Sequence, residues 1–267
     1  MNLLKWLDQQ MIKFMNTEVK PKHGRLCDFG RICQEIIPGD VLLIEGNNRV
    51  SEVIKNLTRS PWTHSALYIG RLHSIENLKL QQRVQKFYKG KPSEQLIIES
   101  QLGSGTIVRP ISHYSTDHIR ICRPLGLSQQ DAQTIVAYAI DHLGKKYNRR
   151  QIFDLARYLF AHPLIPGRWK SSLFVKKNPA HSNNEICSTL IAEAFSAIRY
   201  PILPVAAGED GNIEFEEQNP NLIVPRDFDY SPYFSIIKYP FFHGKGHHFQ
   251  NIPWKDIKNT HVNEDHS

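Results

Sequence analysis

An α+β fold built around an antiparallel sheet is the architecture this sequence predicts. Short apolar segments crowd between residues 41 and 123, helical periodicities lie on both sides of them, and one further apolar segment returns near residue 239. Clustered strands flanked by helices fit that class, whereas steady strand–helix alternation would indicate a parallel sheet. A length of 267 residues with 40% hydrophobic content supplies a core for one large domain with extensions. The expected division is an N-terminal helix and linker at 1–36, a main domain at 37–240 and a polar tail at 241–267.

Asn2 to Thr17 reads as an amphipathic helix, with Leu3, Leu4, Leu7, Met11, Phe14 and Met15 opposite Lys5, Asp8, Gln9 and Lys13. Docking on the domain's own core is its expected use, and a membrane-surface helix is the sharper alternative. Val19 to Gly24 is a polar linker, and Cys27 to Ile37 leads into the domain. Pro38-Gly39-Asp40 turns into a strand from Val41, Val50 to Leu57 suits a short helix, and Trp62 to Gly70 alternates into a second strand. Leu96 to Ser100, Thr106 to Arg109 and Ile119 to Arg123 complete the central strands. Glu76 to Pro92 is charged and is expected to be an irregular exposed excursion. Ser128 to Leu143 is a helix capped by Ser128, with Asp131 at its third position and Gly144 ending it. Gln151 to Phe160 continues as helix, and Pro163 to Asn184 and Pro201 to Pro225 read as loops. Tyr233 to Tyr239 returns to the sheet, and the tail from His243, with five histidines, is expected to be mobile.

The net charge of +7 and pI of about 9.2 favour anionic partners such as phospholipid surfaces, cell-wall polymers or acidic peptides. Nucleic acid is not among the expected partners, because the basic residues are scattered and no zinc-finger, RNA-sheet or helix-turn-helix pattern occurs. The cysteines Cys27, Cys33, Cys122 and Cys187 form no Cys-x-x-Cys pair, and such sparse usage fits a reducing compartment. Polar residues interrupt the apolar N-terminus, unlike a signal peptide, and no apolar run is long enough to span a bilayer. The expectation is a soluble cytoplasmic protein, with peripheral membrane contact as the alternative use of its first helix.

Cys187 is the most informative residue. It stands where a helix begins, with Asn183, Asn184, Ser188 and Thr189 as capping residue types and Leu190, Ile191, Ala194, Phe195 and Ile198 as one buried face. The positive end of a helix dipole favours thiolate over thiol. A cysteine nucleophile needs an imidazole to take its proton and later protonate the leaving group. His64, opening an apolar strand, is the best placed of the thirteen histidines. The imidazole in turn needs a polar partner to fix its ring. Glu99 interrupts the apolar strand Leu96-Ile97-Ile98, and a carboxylate there either faces solvent or meets a buried partner. If the two strands pair, Glu99 accepts the His64 ring N–H.

Four segments in this order resemble a known family: Pro38 to Leu43, Thr63-His64-Ser65-Ala66-Leu67-Tyr68-Ile69-Gly70, Ile98-Glu99-Ser100, and Ile186-Cys187-Ser188-Thr189-Leu190-Ile191. They look like the YiiX/YebB-like branch of the NlpC-type, papain-like cysteine hydrolases, which is circularly permuted so that His precedes Cys. Gly144-Lys145-Lys146-Tyr147-Asn148 and the stretch from Val224 to Pro240 resemble further elements of that branch, the latter its C-terminal return strand. The resemblance spans roughly Ile37 to Tyr239. It implies an antiparallel sheet or small barrel packed against the Cys helix, with Cys187 as nucleophile, His64 as general base and Glu99 as the orienting residue.

Tyr147, Trp62 and Ser188 are the expected substrate-contacting residues, with core packing an equal alternative for Trp62. Neither metal nor cofactor is called for, since the remaining histidines lack metal-ligand spacing. The leading function is a cysteine hydrolase that cleaves an amide, ester or thioester through an acyl-enzyme. Its substrate would be a peptide, a lipid or an acylated small molecule. The alternatives are a lipid acyltransferase of the lecithin:retinol acyltransferase-like kind and a non-catalytic ligand-binding module on the same fold.

Overall fold

The computed structural model describes residues 17, 26–101, 103–145, 187–207, 214–216 and 219–240. The expected helix at Asn2 to Thr17 (Thr17 apart), the helix at 151–160, the loop at 163–184 and the tail from residue 243 lie outside them.

The α+β expectation holds. Strands β1 (Val41–Glu45), β2 (His64–Arg71), β3 (Gln95–Gln101), β4 (Gly105–Pro110), β5 (His118–Pro124) and β8 (Phe234–Ile237) form one antiparallel sheet in the order β4-β3-β2-β1-β5-β8. Alternation along each strand gives the sheet two apolar faces. Val41, Leu43, Leu67, Ile69, Leu96 and Ile98 point to one face. There they meet Ile135, Ala139 and Ile140 of α4 (Gln129–Asp141) and Leu190, Ile191 and Phe195 of α5 (Cys187–Ser196). Leu42, Ile44, Ala66, Tyr68, Ile97 and Ile121 point to the other face and pack against Ile32 and Ile36 at α1 (Phe29–Glu35). A sheet covered on both sides explains why its strands read as nearly continuous apolar runs.

α2 (Arg49–Thr58) opens on Asn48, whose side chain accepts from Ser51 N. The predicted helix after Ser128 is α4, and the Ser128 hydroxyl accepts from Asp131 N. Gly39, at φ +95°, makes the turn that delivers Asp40 to Arg123, a buried carboxylate meeting a guanidinium at 2.9 Å.

Four expectations change. Glu76 to Pro92 is not irregular: it holds α3 (Leu78–Phe87), started by Asn77, whose side chain accepts from Lys79 N and Leu80 N. Its charges mask a narrow apolar stripe in which Val84 is fully buried and Leu80 packs on the core. Cys27 to Ile37 is mostly α1 rather than a lead-in, and Asp28 accepts from Arg31 N. The supposed loop from Pro201 carries a small hairpin, β6 (Val205–Ala207) with β7 (Glu214–Glu216). The return stretch begins as α6 (Pro225–Tyr230), with Pro225 at its first turn and Asp227 accepting from Val224 N. Only Phe234–Ile237 is strand.

Candidate active site

His64 is the first residue of β2, and the residues before it fix where the strand starts. Thr63 N–H donates to Ile44 O at 3.1 Å. Trp62 is 1% exposed, donates its indole N–H to Asp229 at 3.2 Å, and lies under the Arg120 guanidinium at 4.7 Å. Trp62 therefore braces the strand entry from within the core, which is the core-packing alternative and not the cleft wall.

β2 and β3 pair antiparallel, as the His64–Glu99 hypothesis requires, with Leu67 opposite Ile98. His64 Nε2 and Glu99 Oε2 are 2.7 Å apart. Glu99 is 0% exposed and has two further partners. The Tyr114 hydroxyl donates to Oε2 at 2.6 Å, and Arg109 Nε lies 2.8 Å from Oε1. Arg109 is in turn steadied by Gln101 at 2.5 Å. Among the described residues Oε1 has no hydrogen-bond partner and is balanced by the charge of Arg109, while His64 and Tyr114 both bond to Oε2; this pairing offsets a desolvation that would otherwise be prohibitive. Burial raises the Glu99 pKa, but the His64 charge and hydrogen bond, with Arg109 and Tyr114, outweigh it and hold the group below the usual carboxylate range.

Tyr114 and Arg109 were not among the expected site residues. A signal for Arg109 existed: β4 alternates, and with Ile107 opposite Glu99 the Arg109 side chain falls diagonally on the same face. Tyr114 comes from a 3-10 turn at Ile111–Tyr114, where no periodicity marks it.

Cys187 opens α5, whose apolar side packs on β2, β3 and α4. Cys187 is buried, 5% exposed, and His64 is the group that acts most strongly on its thiol to favour the charged form. Because Nε2 is committed to Glu99, Nδ1 is the ring nitrogen left for the sulfur. Burial opposes the thiolate, yet the His64 charge and hydrogen bond and the neighbouring Ser65 overcome it, so the Cys187 pKa is lowered. Burial likewise disfavours imidazolium, but Cys187 and Glu99 together raise the His64 pKa to about 10. The opposed shifts favour proton transfer from the thiol to the imidazole. In contrast, burial pushes the thiols of Cys33 and Cys122 up.

Ser188 is fully buried and donates to Ile223 O, which ties α5 to the segment ahead of α6. It neither caps the helix nor meets a substrate, contrary to both expectations. Tyr147 lies outside the described residues. A hollow of about 580 Å³ along β4 is lined by Phe87, Ile107, Pro110, Arg109 and His113 among others. It shares Arg109 with the Glu99 cluster but is lined by none of Cys187, His64 and Glu99. Among the described residues, no group of three or more His, Cys, Asp or Glu side chains is arranged to hold a metal ion.

Residues 35–159 match the family described as permuted papain-like amidase enzymes, YaeF/YiiX, C92 family. A solved structure, that of the metalloprotein yiiX from Escherichia coli O157:H7, is similar at 13% identity and a TM-score of 0.43. The alignment covers 76% of this chain and 96% of that one. No curated protein matches the chain.

Proposed function

We propose that this chain, whose residues 35–159 match the permuted papain-like YaeF/YiiX family, is a cysteine hydrolase acting through Cys187, His64 and Glu99. The observation that carries the reading is the 2.7 Å contact between His64 and the buried Glu99, with the same imidazole facing Cys187. The amidase description of the matched family favours an amide as the scissile group, with esters and thioesters open to the same chemistry.

In this scheme the thiol proton resides on His64, and the Cys187 thiolate attacks the carbonyl carbon. The carbonyl π electrons move onto oxygen, where N–H groups at the start of α5 are positioned by type to receive the charge. Collapse of the tetrahedral intermediate expels the amine, alcohol or thiol, which takes the proton from His64 as it leaves. Neutral His64 then removes a proton from water, and hydroxide attacks the thioester. Carboxylic acid departs and the thiolate–imidazolium pair is restored. Glu99 keeps Nε2 protonated throughout and fixes which ring nitrogen faces the sulfur. Arg109 and Tyr114 hold the carboxylate in place.

Acyl-enzyme trapping tests this. A panel of chromogenic short-chain esters and anilides is acid-quenched during turnover, and the protein is mapped by mass spectrometry. An acyl group on Cys187 that hydroxylamine removes is the expected result. Turnover that persists in Cys187→Ala would overturn it.

A further inference from the structure

Ser65 is a buried polar side chain that the scheme above leaves without a task. It is 0% exposed, and among the described residues its hydroxyl oxygen makes no hydrogen bond of normal geometry. A buried hydroxyl without a partner is costly, so its presence calls for a cause. Alternation turns Ser65 onto the face opposite to that of Ala66, the face of Leu43 and Leu67 that Leu190 and Ile191 of α5 cover.

The backbone direction agrees. Tyr68 N–H donates to Asp40 O, so along β2 Tyr68, Ala66 and His64 form the bonded positions with β1. Ser65, opposite Leu43, points its N–H away from β1 and toward β3. The β2–β3 ladder, however, ends at Leu67 and Ile98. The Ser65 N–H lies past that end, on the pair of strands against which α5 packs. Cys187 is the first residue of the helix packed on these two strands, and the N–H and hydroxyl of Ser65 both act to favour its thiolate.

We propose that Ser65 is a further catalytic residue, whose N–H and hydroxyl together cradle the Cys187 thiolate on the side opposite His64. This rests on Cys187 being the nucleophile. The hydroxyl keeps its proton and only donates, and the thiol proton goes to His64. When sulfur bonds to the carbonyl carbon, its negative charge passes to the carbonyl oxygen and both donors are released. Among the described residues, the titratable groups facing the sulfur are His64 and, behind it, Glu99, Arg109 and Tyr114. Ser65 contributes dipoles and no charge, so its effect is separable from theirs.

The experiment is the pH dependence of Cys187 alkylation by iodoacetamide, quantified at that peptide, for the wild type and Ser65→Ala. Ser65→Ala should move the acidic limb up by about one pH unit, slowing alkylation within that limb about tenfold. The plateau at higher pH should hold or rise, because a thiolate relieved of a hydrogen bond is the stronger nucleophile. A lower plateau without a shifted limb would mean a structural role only and would overturn the proposal. Ser65→Thr and Ser65→Val, alike in shape, give the same comparison if the alanine variant folds poorly: threonine should keep the wild-type limb and valine should lose it. A wild-type limb at ordinary thiol pH would instead defeat the nucleophile assignment itself, which separates the two failures.

Discussion

The Glu99 carboxylate lies 2.7 Å from the His64 ring even though the two residues are 35 positions apart and Glu99 has no contact with solvent. Burial of one partner makes the pair more than a surface ion pair, because the low local dielectric strengthens both the charge interaction and the hydrogen bond. The orientation of His64 therefore depends on a carboxylate that water does not screen.

Glu99→Gln keeps the shape but removes the charge. It should lower kcat/KM by roughly tenfold or more, within the range of a general acid–base contribution, while His64→Ala should lose about 100-fold to 10,000-fold. Steady-state rates on one chromogenic substrate check both. The glutamine variant should also bring the alkaline limb of the rate profile down, since His64 loses one of the two charges that raise its pKa.

The wild-type rate profile follows from the opposed shifts. In the proposed scheme the active thiolate–imidazolium form should appear as Cys187 ionises, below the ordinary thiol range, and disappear as His64 loses its proton near pH 10. Activity should rise on the acid side, hold across neutrality and fall toward that value. A profile that climbs steadily through the normal thiol range would show that the sulfur is not paired.

Stability carries the same signature. The folded-state pKa of Glu99 is depressed, so its contribution is present above the ordinary glutamate value of about 4.3 and is lost as pH falls through the folded value. The folded-state pKa of His64 is raised, so its contribution is complete below about 6.5 and is lost as pH rises to about 10. Thermal melts of Glu99→Gln should show a flatter acid side than the wild type.

Tyr114→Phe deletes one donor to a buried charge and should cost about 1–3 kcal/mol. Arg109→Met removes the balancing cation and should cost about 3–5 kcal/mol. Urea unfolding measures both. Tyr114→Phe costing no more than a surface substitution would mean that the hydroxyl does not hold Glu99.

The residues of the proposed reaction were legible because each broke a local pattern: a carboxylate inside an apolar strand, an imidazole at a strand start, a thiol at a helix start. Their order along the chain then resembled that of a permuted family. Arg109 and Tyr114 were less legible, because their roles come from cross-strand register and from a 3-10 turn, and neither leaves a period in the sequence. Ser188 misled, and Trp62 stayed open between cleft and core, for a related reason. Proximity in sequence to His64 and Cys187 places them beside the site, but burial and the bonds to Asp229 and Ile223 turn them to structural use. α3 was hidden by the charges around Val84, and α6 by a proline that starts a helix where it was read as loop.

The most direct measurement is the site distribution of iodoacetamide alkylation on the native protein at pH 7, read by peptide mass spectrometry across Cys27, Cys33, Cys122 and Cys187. The pairing of Cys187 with His64 predicts rapid modification of Cys187 alone, and loss of that selectivity in His64→Ala. Equal labelling of the four thiols, or selectivity that survives the loss of His64, would contradict it.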